Sequence, residues 1–130
     1  MIEEFRVKST KREELINLDS LIMDFLNKSG VKESILTLFV PHTTAGITIN
    51  ENADPTVVRD IIYKLGDLIP YRDNYQHYEG NSDAHIKASI VGHSLSLIIS
   101  NGRPLLGTWQ SVYFCEFDGP RIRRVIMRIA

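Results

Sequence analysis

The stretch Ser34-Ile35-Leu36-Thr37-Leu38-Phe39-Val40-Pro41-His42-Thr43-Thr44-Ala45-Gly46-Ile47-Thr48-Ile49 decides the fold class of this chain. Positions 34–40 are apolar at nearly every residue and rich in strand formers, which predicts a strand buried on both faces. A His-Thr-Thr turn follows, and positions 46–49 predict a second, shorter strand. Because the predicted strands pair mostly with near neighbours in sequence, the pattern favours antiparallel β-structure.

Further strands are predicted on both sides of this stretch. Glu4 to Lys8 alternates in polarity like a strand, and Arg12 to Ile16 is its predicted short partner. The remaining predicted strands are Leu95–Ser100, Leu106–Trp109, Ser111–Phe117 and Ile122–Ile129.

Two main helices and one short helix are predicted between the strands. The first carries an apolar stripe at helical spacing from Leu18 to Leu26, with Asn17 as its cap and Gly30 as its end. The second opens at Asp54-Pro55 and carries its stripe from Val57 to Leu65. The short helix, Asp83 to Val91, follows a long loop. These elements predict an α+β fold with one antiparallel sheet or two packed sheets.

Length and composition limit the classes of protein that fit. The 130 residues suit one domain, residues 1–130, and the net charge of −1 gives no basic field for nucleic acid. No apolar run approaches the ~20 residues that cross a bilayer, and the acidic N-terminus is unlike a signal peptide. The single cysteine, Cys115, fits a reducing compartment. We therefore expect a cytoplasmic protein with no membrane or nucleic-acid partner.

The histidines are the first candidates for chemistry. All four lie between positions 42 and 93, and His77 to His85 packs two imidazoles and two carboxylates into nine residues. Imidazole nitrogen and carboxylate oxygen suit zinc. The spacing matches no fixed zinc signature, so a role in hydrogen bonding the loop, or simple exposure to solvent, stays open.

A second polar group follows the His-Thr-Thr turn. The hydroxyls of Thr43 and Thr44 can donate to a phosphate, and Glu51 and Asp54 could hold Mg²⁺. For Asp54 a helix cap is the favoured alternative, whereas Glu51 is favoured as a functional residue.

The C-terminal third adds an aromatic and a buried carboxylate. Trp109 offers a stacking face and Gln110 a donor and an acceptor, although a single Trp is more often a core residue. Glu116 shares strand parity with Val112 and Phe114, so it either points inward or lies on a solvent face. Cys115 is expected in the core.

Four motifs in order resemble a known family. They are His42-Thr43-Thr44-Ala45, Asn50-Glu51-Asn52-Ala53-Asp54, Glu79-Gly80-Asn81-Ser82-Asp83-Ala84-His85 and Gly107-Thr108-Trp109-Gln110. Together they resemble the YjbQ-type family, also called the secondary thiamine-phosphate synthase family. The resemblance implies an α+β fold with an antiparallel β-sandwich core of two packed sheets, assembled as a homotrimer. It also implies a condensation of hydroxymethylpyrimidine diphosphate with thiazole phosphate that releases pyrophosphate.

The resemblance and the residue chemistry point to the same positions. The motif histidines correspond to His42, His77 and His85, which are the predicted ligands of a divalent metal, Zn or Mg; His93 is left out of this set. The predicted catalytic residues are Glu51, Glu79 and Asp83. The predicted contacts to a phosphorylated small-molecule substrate are Thr43, Thr44, Asn81, Trp109 and Gln110.

Two functions from different classes remain open on the sequence. The first is an enzyme that acts on a phosphorylated metabolite through the histidines and carboxylates. The second is a non-catalytic trimer that binds a metal or a small ligand.

Overall fold

The computed structural model describes all 130 residues, as three helices and eight strands. The elements in chain order are β1 Ile2–Lys8, β2 Glu14–Asn17, α1 Asp19–Ser29, β3 Ser34–Phe39, β4 Ala45–Glu51, α2 Pro55–Leu68, α3 Ser82–Val91, β5 Ser94–Ser100, β6 Arg103–Pro104, β7 Gln110–Glu116 and β8 Ile122–Ile129. No helix is both long enough and apolar enough to cross a bilayer.

The strands form two antiparallel sheets, which confirms the predicted α+β class. One sheet has five strands in the order β1-β8-β3-β5-β6, and the other has three in the order β2-β7-β4. The main core of 17 buried residues draws side chains from both sheets and from Ile22, Phe25 and Leu26 of α1. A smaller cluster of Ala84, Ala88, Cys115 and Phe117 lies between α3 and the opposite face of β7.

The prediction that positions 34–40 are buried on both faces is wrong. Leu36 and Leu38 are fully buried, but Ile35 and Phe39 remain 51% and 45% exposed. β3 therefore alternates, because the outer face of the five-stranded sheet is not covered by any helix of this chain. A strand that is buried on one face is recognised by alternating polar and apolar residues, and apolar residues at outward-facing positions remove that alternation.

The predicted pairing of the second strand is also wrong. β2 pairs with β7 in the three-stranded sheet, with Glu14 opposite Glu116, and it makes no ladder with β1. The intervening residues cross between the sheets: Ser9 N donates to Arg121 O, and Arg12 O accepts from Gly119 N. Leu15 gains burial against the small cluster beside α3, which a hairpin with β1 would not provide.

The strand predicted at Leu106–Trp109 is absent. This segment is a turn, in which Gln110 N donates to Gly107 O at 3.0 Å and Gly107 N donates to the Gln110 side chain at 2.8 Å. The strands on either side of it pair elsewhere: β6, Arg103–Pro104, lies against β5, and β7 begins at Gln110 opposite Glu51 of β4. Apolar side chains at Leu106 and Trp109 mimic a strand pattern over too few residues to distinguish the two.

The predicted helix end at Gly30 and the predicted cap at Asp54 are confirmed, but the predicted cap at Asn17 is wrong, since Leu18 is the N-cap residue of α1. Asp54 Oδ1 accepts from Thr56 N at 2.9 Å and Pro55 opens α2, which confirms the capping interpretation of Asp54. Gly30 ends α1 at φ +69°, a left-handed conformation that favours glycine. Unlike α1, α2 buries none of its residues within this chain.

Candidate functional site

One open cavity of about 610 Å³ collects most of the predicted polar residues. It lies where the end of β3, the turn into β4, the loop before α3, the start of α3 and the start of β8 meet. The predicted residues that line it are His42, Thr43, Thr44, His77, Glu79, Asn81 and His85. The volume is in the range of small-molecule sites, ~300–1,000 Å³.

His42 is tied at one ring nitrogen to the large sheet. Its Nε2 accepts from the backbone N–H of Arg124 at 3.0 Å, a β8 donor that lies beyond the last β3 pair. Burial, together with the nearby Arg123 and Arg124, holds the pKa of His42 below its ordinary value. The ring is therefore neutral with its proton on Nδ1, which makes Nδ1–H a hydrogen-bond donor at the cavity.

His77 and His85 form the other imidazole pair of the cavity. Their ring centroids are 5.4 Å apart with the rings nearly perpendicular, and His77 Nε2 lies 3.9 Å from Glu79 Oε1. His85 is held by the first turn of α3, whereas His77 belongs to the loop that precedes the helix. His77 and Glu79 are open to water, since their side chains are 44% and 70% exposed, whereas His85 is half-buried. Such groups can exchange protons with a bound molecule and with water.

The sequence analysis missed three residues of the cavity: His93, Arg121 and Arg123. His93 arrives beside His42 because Val40 N donates to His93 O at 2.8 Å, where β3 meets β5. That neighbour relation depends on strand pairing, which no local pattern reveals. Arg123 could have been found, because it shares strand parity with Val125 and Met127, both of which face the core.

Arg123 and Glu116 form a buried ion pair behind the cavity. The guanidinium donates to both carboxylate oxygens of Glu116, with Nε to Oε1 at 2.8 Å, and both residues are at most 5% exposed. Glu116 also accepts from Ser9 Oγ and from the backbone N–H of Asp118. Burial alone would raise the pKa of Glu116, but these hydrogen bonds outweigh it and hold the pKa below its ordinary value. Glu116 points inward, as one of the two sequence interpretations required.

Asn81 contributes an unsatisfied acceptor next to the cavity. Its Nδ2 donates to Asp118 Oδ2 at 2.8 Å, while its Oδ1 is buried without a partner. A buried polar atom in this state costs stability unless a bound molecule or a water donates to it. Asn81 therefore suits the predicted role of a ligand contact.

Asp83 lies behind the cavity wall rather than in it. It is fully buried, accepts two hydrogen bonds from the Arg12 guanidinium at 3.0 and 3.1 Å, and accepts a third from Lys87. Arg12 in turn lies 3.7 Å from the ring centroid of Tyr71, in the loop before α3. These contacts indicate that Asp83 positions α3 and this loop. Both of its carboxylate oxygens already accept hydrogen bonds, so neither is free for the predicted catalytic role.

Three predicted site residues lie away from the cavity of their own chain. Glu51 and Gln110 pair with each other at the far end of β4 and β7, and Trp109 is the preceding turn residue, 63% exposed. None of the three lines the histidine cavity. Cys115 is buried, and burial raises the pKa of its thiol to about 12, so it is no nucleophile at neutral pH.

The cavity contains residue types that bind metal ions, but their side chains are not placed to bind one together. His77, His85 and Glu79 offer the nitrogen and oxygen ligands that zinc accepts. However, the single chain holds no group of three or more His, Cys, Asp or Glu side chains placed to bind a metal ion. His42 has only Nδ1 to offer, because Nε2 is already a hydrogen-bond acceptor. The side chains as placed do not form a metal site, and they do form a donor-rich, partly cationic cavity.

Sequence comparison finds relatives along nearly the whole chain. The chain is 54% identical over 129 residues to the UPF0047 protein MJ1081 of Methanocaldococcus jannaschii, covering 99% of this chain and 94% of that protein. It is 45% identical over 130 residues to the UPF0047 protein YugU of Bacillus subtilis, covering 99% and 98% of the two chains.

A solved structure and a family model agree with these relatives. The crystal structure of an uncharacterised conserved protein of the YjbQ/UPF0047 family from Clostridium acetobutylicum matches with a TM-score of 0.96 and 49% identity, over 98% of this chain and 99% of that one. The family model described as UPF0047 protein YjbQ-like matches residues 3–130. The chain belongs to the YjbQ-like UPF0047 family.

Proposed function

We propose that this chain is an enzyme that acts on a phosphorylated small molecule in the histidine cavity. The observation that carries the proposal is the meeting of four imidazoles and two guanidinium groups in one open cavity. Cationic and N–H donor groups favour a phosphorylated ligand, and imidazole is the side chain most often used for proton transfer in catalysis.

The reaction we propose is the thiamine-phosphate synthase type of condensation. Hydroxymethylpyrimidine diphosphate is joined to thiazole phosphate, and pyrophosphate leaves. Negative charge develops on the diphosphate as its bond to carbon breaks, so positioned donors at that end lower the barrier. His42 Nδ1–H is one such donor, and Thr43 and Asn81 are further contacts on the same wall.

His77 and His85 are the proposed proton donors to the leaving pyrophosphate, since the thiazole nitrogen attacks with its lone pair and carries no proton for a base to remove. Their rings pack edge to face, and Glu79 Oε1 lies 3.9 Å from His77 Nε2. Glu79 is the one of the three predicted catalytic carboxylates that lines the cavity. We assign it to positioning His77 rather than to attack on the substrate.

The predicted roles of Glu51, Trp109 and Gln110 require a second copy of the chain. We propose the homotrimer that the sequence resemblance implies, in the cytoplasm. Exposed apolar residues on the outer face of the five-stranded sheet, such as Ile35 and Ile98, support association because this chain leaves them uncovered. In such an assembly the far end of β4 and β7 could meet a neighbouring cavity.

The second candidate is a non-catalytic protein that binds a divalent metal, Zn or Mg, or a small ligand. The close contact of His77 with His85 is the observation that favours it. A third ligand would have to come from a rearranged His42 or from a neighbouring subunit. Metal analysis of the purified protein tests this candidate, with stoichiometric metal that is lost in His77→Ala as its expected result.

The enzyme proposal is tested by incubating the purified protein with both substrates and detecting thiamine phosphate by mass spectrometry. We expect turnover by the wild type and a loss of at least about a hundredfold in His77→Ala and His85→Ala. Asn74→Ala, in the same loop but outside the cavity, is the matched control and should keep full activity. A wild type that forms no product, or active histidine variants, would contradict the enzyme proposal.

A further inference from the structure

One nitrogen of Arg123 is left without a partner at the cavity. Nε and Nη2 are held by Glu116 and Thr44, but Nη1 makes no hydrogen bond within the chain. The side chain is only 5% exposed, and the residue lines the cavity. Asn81 Oδ1 is the one side-chain atom that is buried without a partner, so Nη1 reaches the solvent of the cavity, where it is available to donate to an anion.

The rest of the buried network holds this nitrogen in place. Glu116 is engaged by Arg123, by Ser9 Oγ at 2.7 Å and by the backbone N–H of Asp118 at 3.0 Å. Its carboxylate therefore has little capacity left to bind anything else. Arg123 is fixed at two of its three nitrogens, and the orientation of Nη1 is set before any ligand arrives.

Two neighbouring groups supply further donors. Thr44 Oγ1 accepts from Arg123 Nη2 at 2.8 Å, which leaves its own hydroxyl proton free, and Thr44 is 6% exposed. His42 presents Nδ1–H because its Nε2 accepts from Arg124 N. All three residues line the cavity, and Glu79 is the one carboxylate among its lining residues.

We infer that Arg123, Thr44 and His42 form an oxyanion subsite that binds a phosphate group of the substrate. This inference rests on the proposed function, since it names the part of the cavity that takes the phosphate. Three donors on three separate side chains suit the several oxygens of a tetrahedral phosphate better than the two of a planar carboxylate. A cation is disfavoured here because the three groups assigned to the subsite are hydrogen-bond donors.

The test is calorimetric titration of the full chain with inorganic phosphate. Arg123→Lys keeps the charge opposite Glu116 but removes Nη1, and we expect about tenfold weaker binding. Thr44→Val removes only the hydroxyl and should weaken binding about fivefold. Arg128→Lys on the same strand and Thr37→Val on β3, both exposed and outside the cavity, are the matched controls and should bind as the wild type does.

The outcomes separate this inference from the proposed function. If the wild type binds phosphate and both cavity variants bind it within about twofold, the subsite is overturned while a phosphate-binding enzyme stands. If acetate binds as tightly as phosphate, the assignment to phosphate is overturned. If the wild type shows no saturable binding up to about 10 mM phosphate, both proposals fail together. Thermal melts identify a misfolded Arg123→Lys, in which case Thr44→Val decides the result.

Discussion

At the scale of single residues, the role of His42 depends on the hydrogen bond that its Nε2 accepts. The Arg124 amide occupies Nε2, and the nearby Arg123 and Arg124 disfavour a charged ring. The residue thereby has Nδ1–H as its donor, in a cavity that two arginines and Glu79 also line. The sequence selects this histidine as a metal ligand, and the fold gives its Nε2 a backbone hydrogen bond from Arg124.

The titration of His42 should reveal this arrangement. We expect nitrogen-detected NMR to show the Nδ1–H tautomer and a pKa below the ordinary histidine value near 6.5. Because the folded pKa is lowered, the associated stability is present above the unfolded pKa and is lost as the pH falls through the folded one. A ring that gains its proton above pH ~6.5 would contradict the account.

Asp83 should behave as a structural residue. Asp83→Asn removes the negative charge that Arg12 and Lys87 share. We therefore expect urea titration to give a free energy of unfolding that is lower by about 2–3 kcal/mol. The control Asp67→Asn removes an exposed pair with Lys64 and should change stability by less than about 0.5 kcal/mol.

The pH dependence of stability should show the same contribution of the Asp83 carboxylate. Burial opposes the ionised form of Asp83, but the hydrogen bonds from Arg12 and Lys87 outweigh it and hold its pKa below the ordinary value. The wild type should therefore lose stability as the pH falls below about 4, and Asp83→Asn should lose less. Equal acid sensitivity of the two proteins would show that the ion pair contributes nothing.

At the scale of elements, the caps were predictable and the sheet partners were not. Asp54-Pro55 and Gly30 act through neighbours in sequence, so local chemistry places the ends of α1 and α2. The partner of β2 depends instead on where Leu15 finds burial, beside α3. Exposed apolar residues on β3 likewise made the strand look buried on both faces. A sequence pattern shows which residues are hydrophobic, but not which of them are covered by other elements.

Two glycines should respond in opposite ways to a methyl group. A Cβ on Gly46 in β4 would lie 2.6 Å from Gly92 O, where β4 approaches the end of α3, so Gly46→Ala should destabilise by about 1–3 kcal/mol. Gly66 in α2 has nothing within 4 Å, so Gly66→Ala should stabilise by about 0.5–1 kcal/mol. Denaturant titrations measure both, and a tolerated Gly46→Ala would refute the close approach.

At the scale of the whole molecule, the two sheets bring distant segments to one cavity. His42, the loop before α3 and Arg123 are far apart in sequence and meet only through strand pairing. The motifs therefore identified the histidines, Thr43, Thr44 and Asn81 without their geometry. They could not reveal Arg123 as a partner, nor that Glu51, Trp109 and Gln110 lie at the other end of β4 and β7.

The oligomeric state decides whether those distant residues can act. We expect light scattering at micromolar concentration to give about three times the 14.8 kDa chain mass. Uncovered apolar residues on the large sheet and the absence of any buried residue in α2 are the physical reasons. A monomer mass would mean that Trp109 and Gln110 cannot contact a ligand in the histidine cavity.

The central claim is that a phosphorylated ligand binds in the histidine cavity, and amide NMR tests it most directly. Titration of the full chain with pyrophosphate should shift the backbone signals of 42–44, 77–85 and 121–123 together and to saturation. Signals of Glu51, Trp109 and Gln110 should stay in place if each cavity is complete within its own chain, and should move with the others if a neighbour completes it. Saturable shifts confined to other surfaces, or no shifts at all, would contradict the claim.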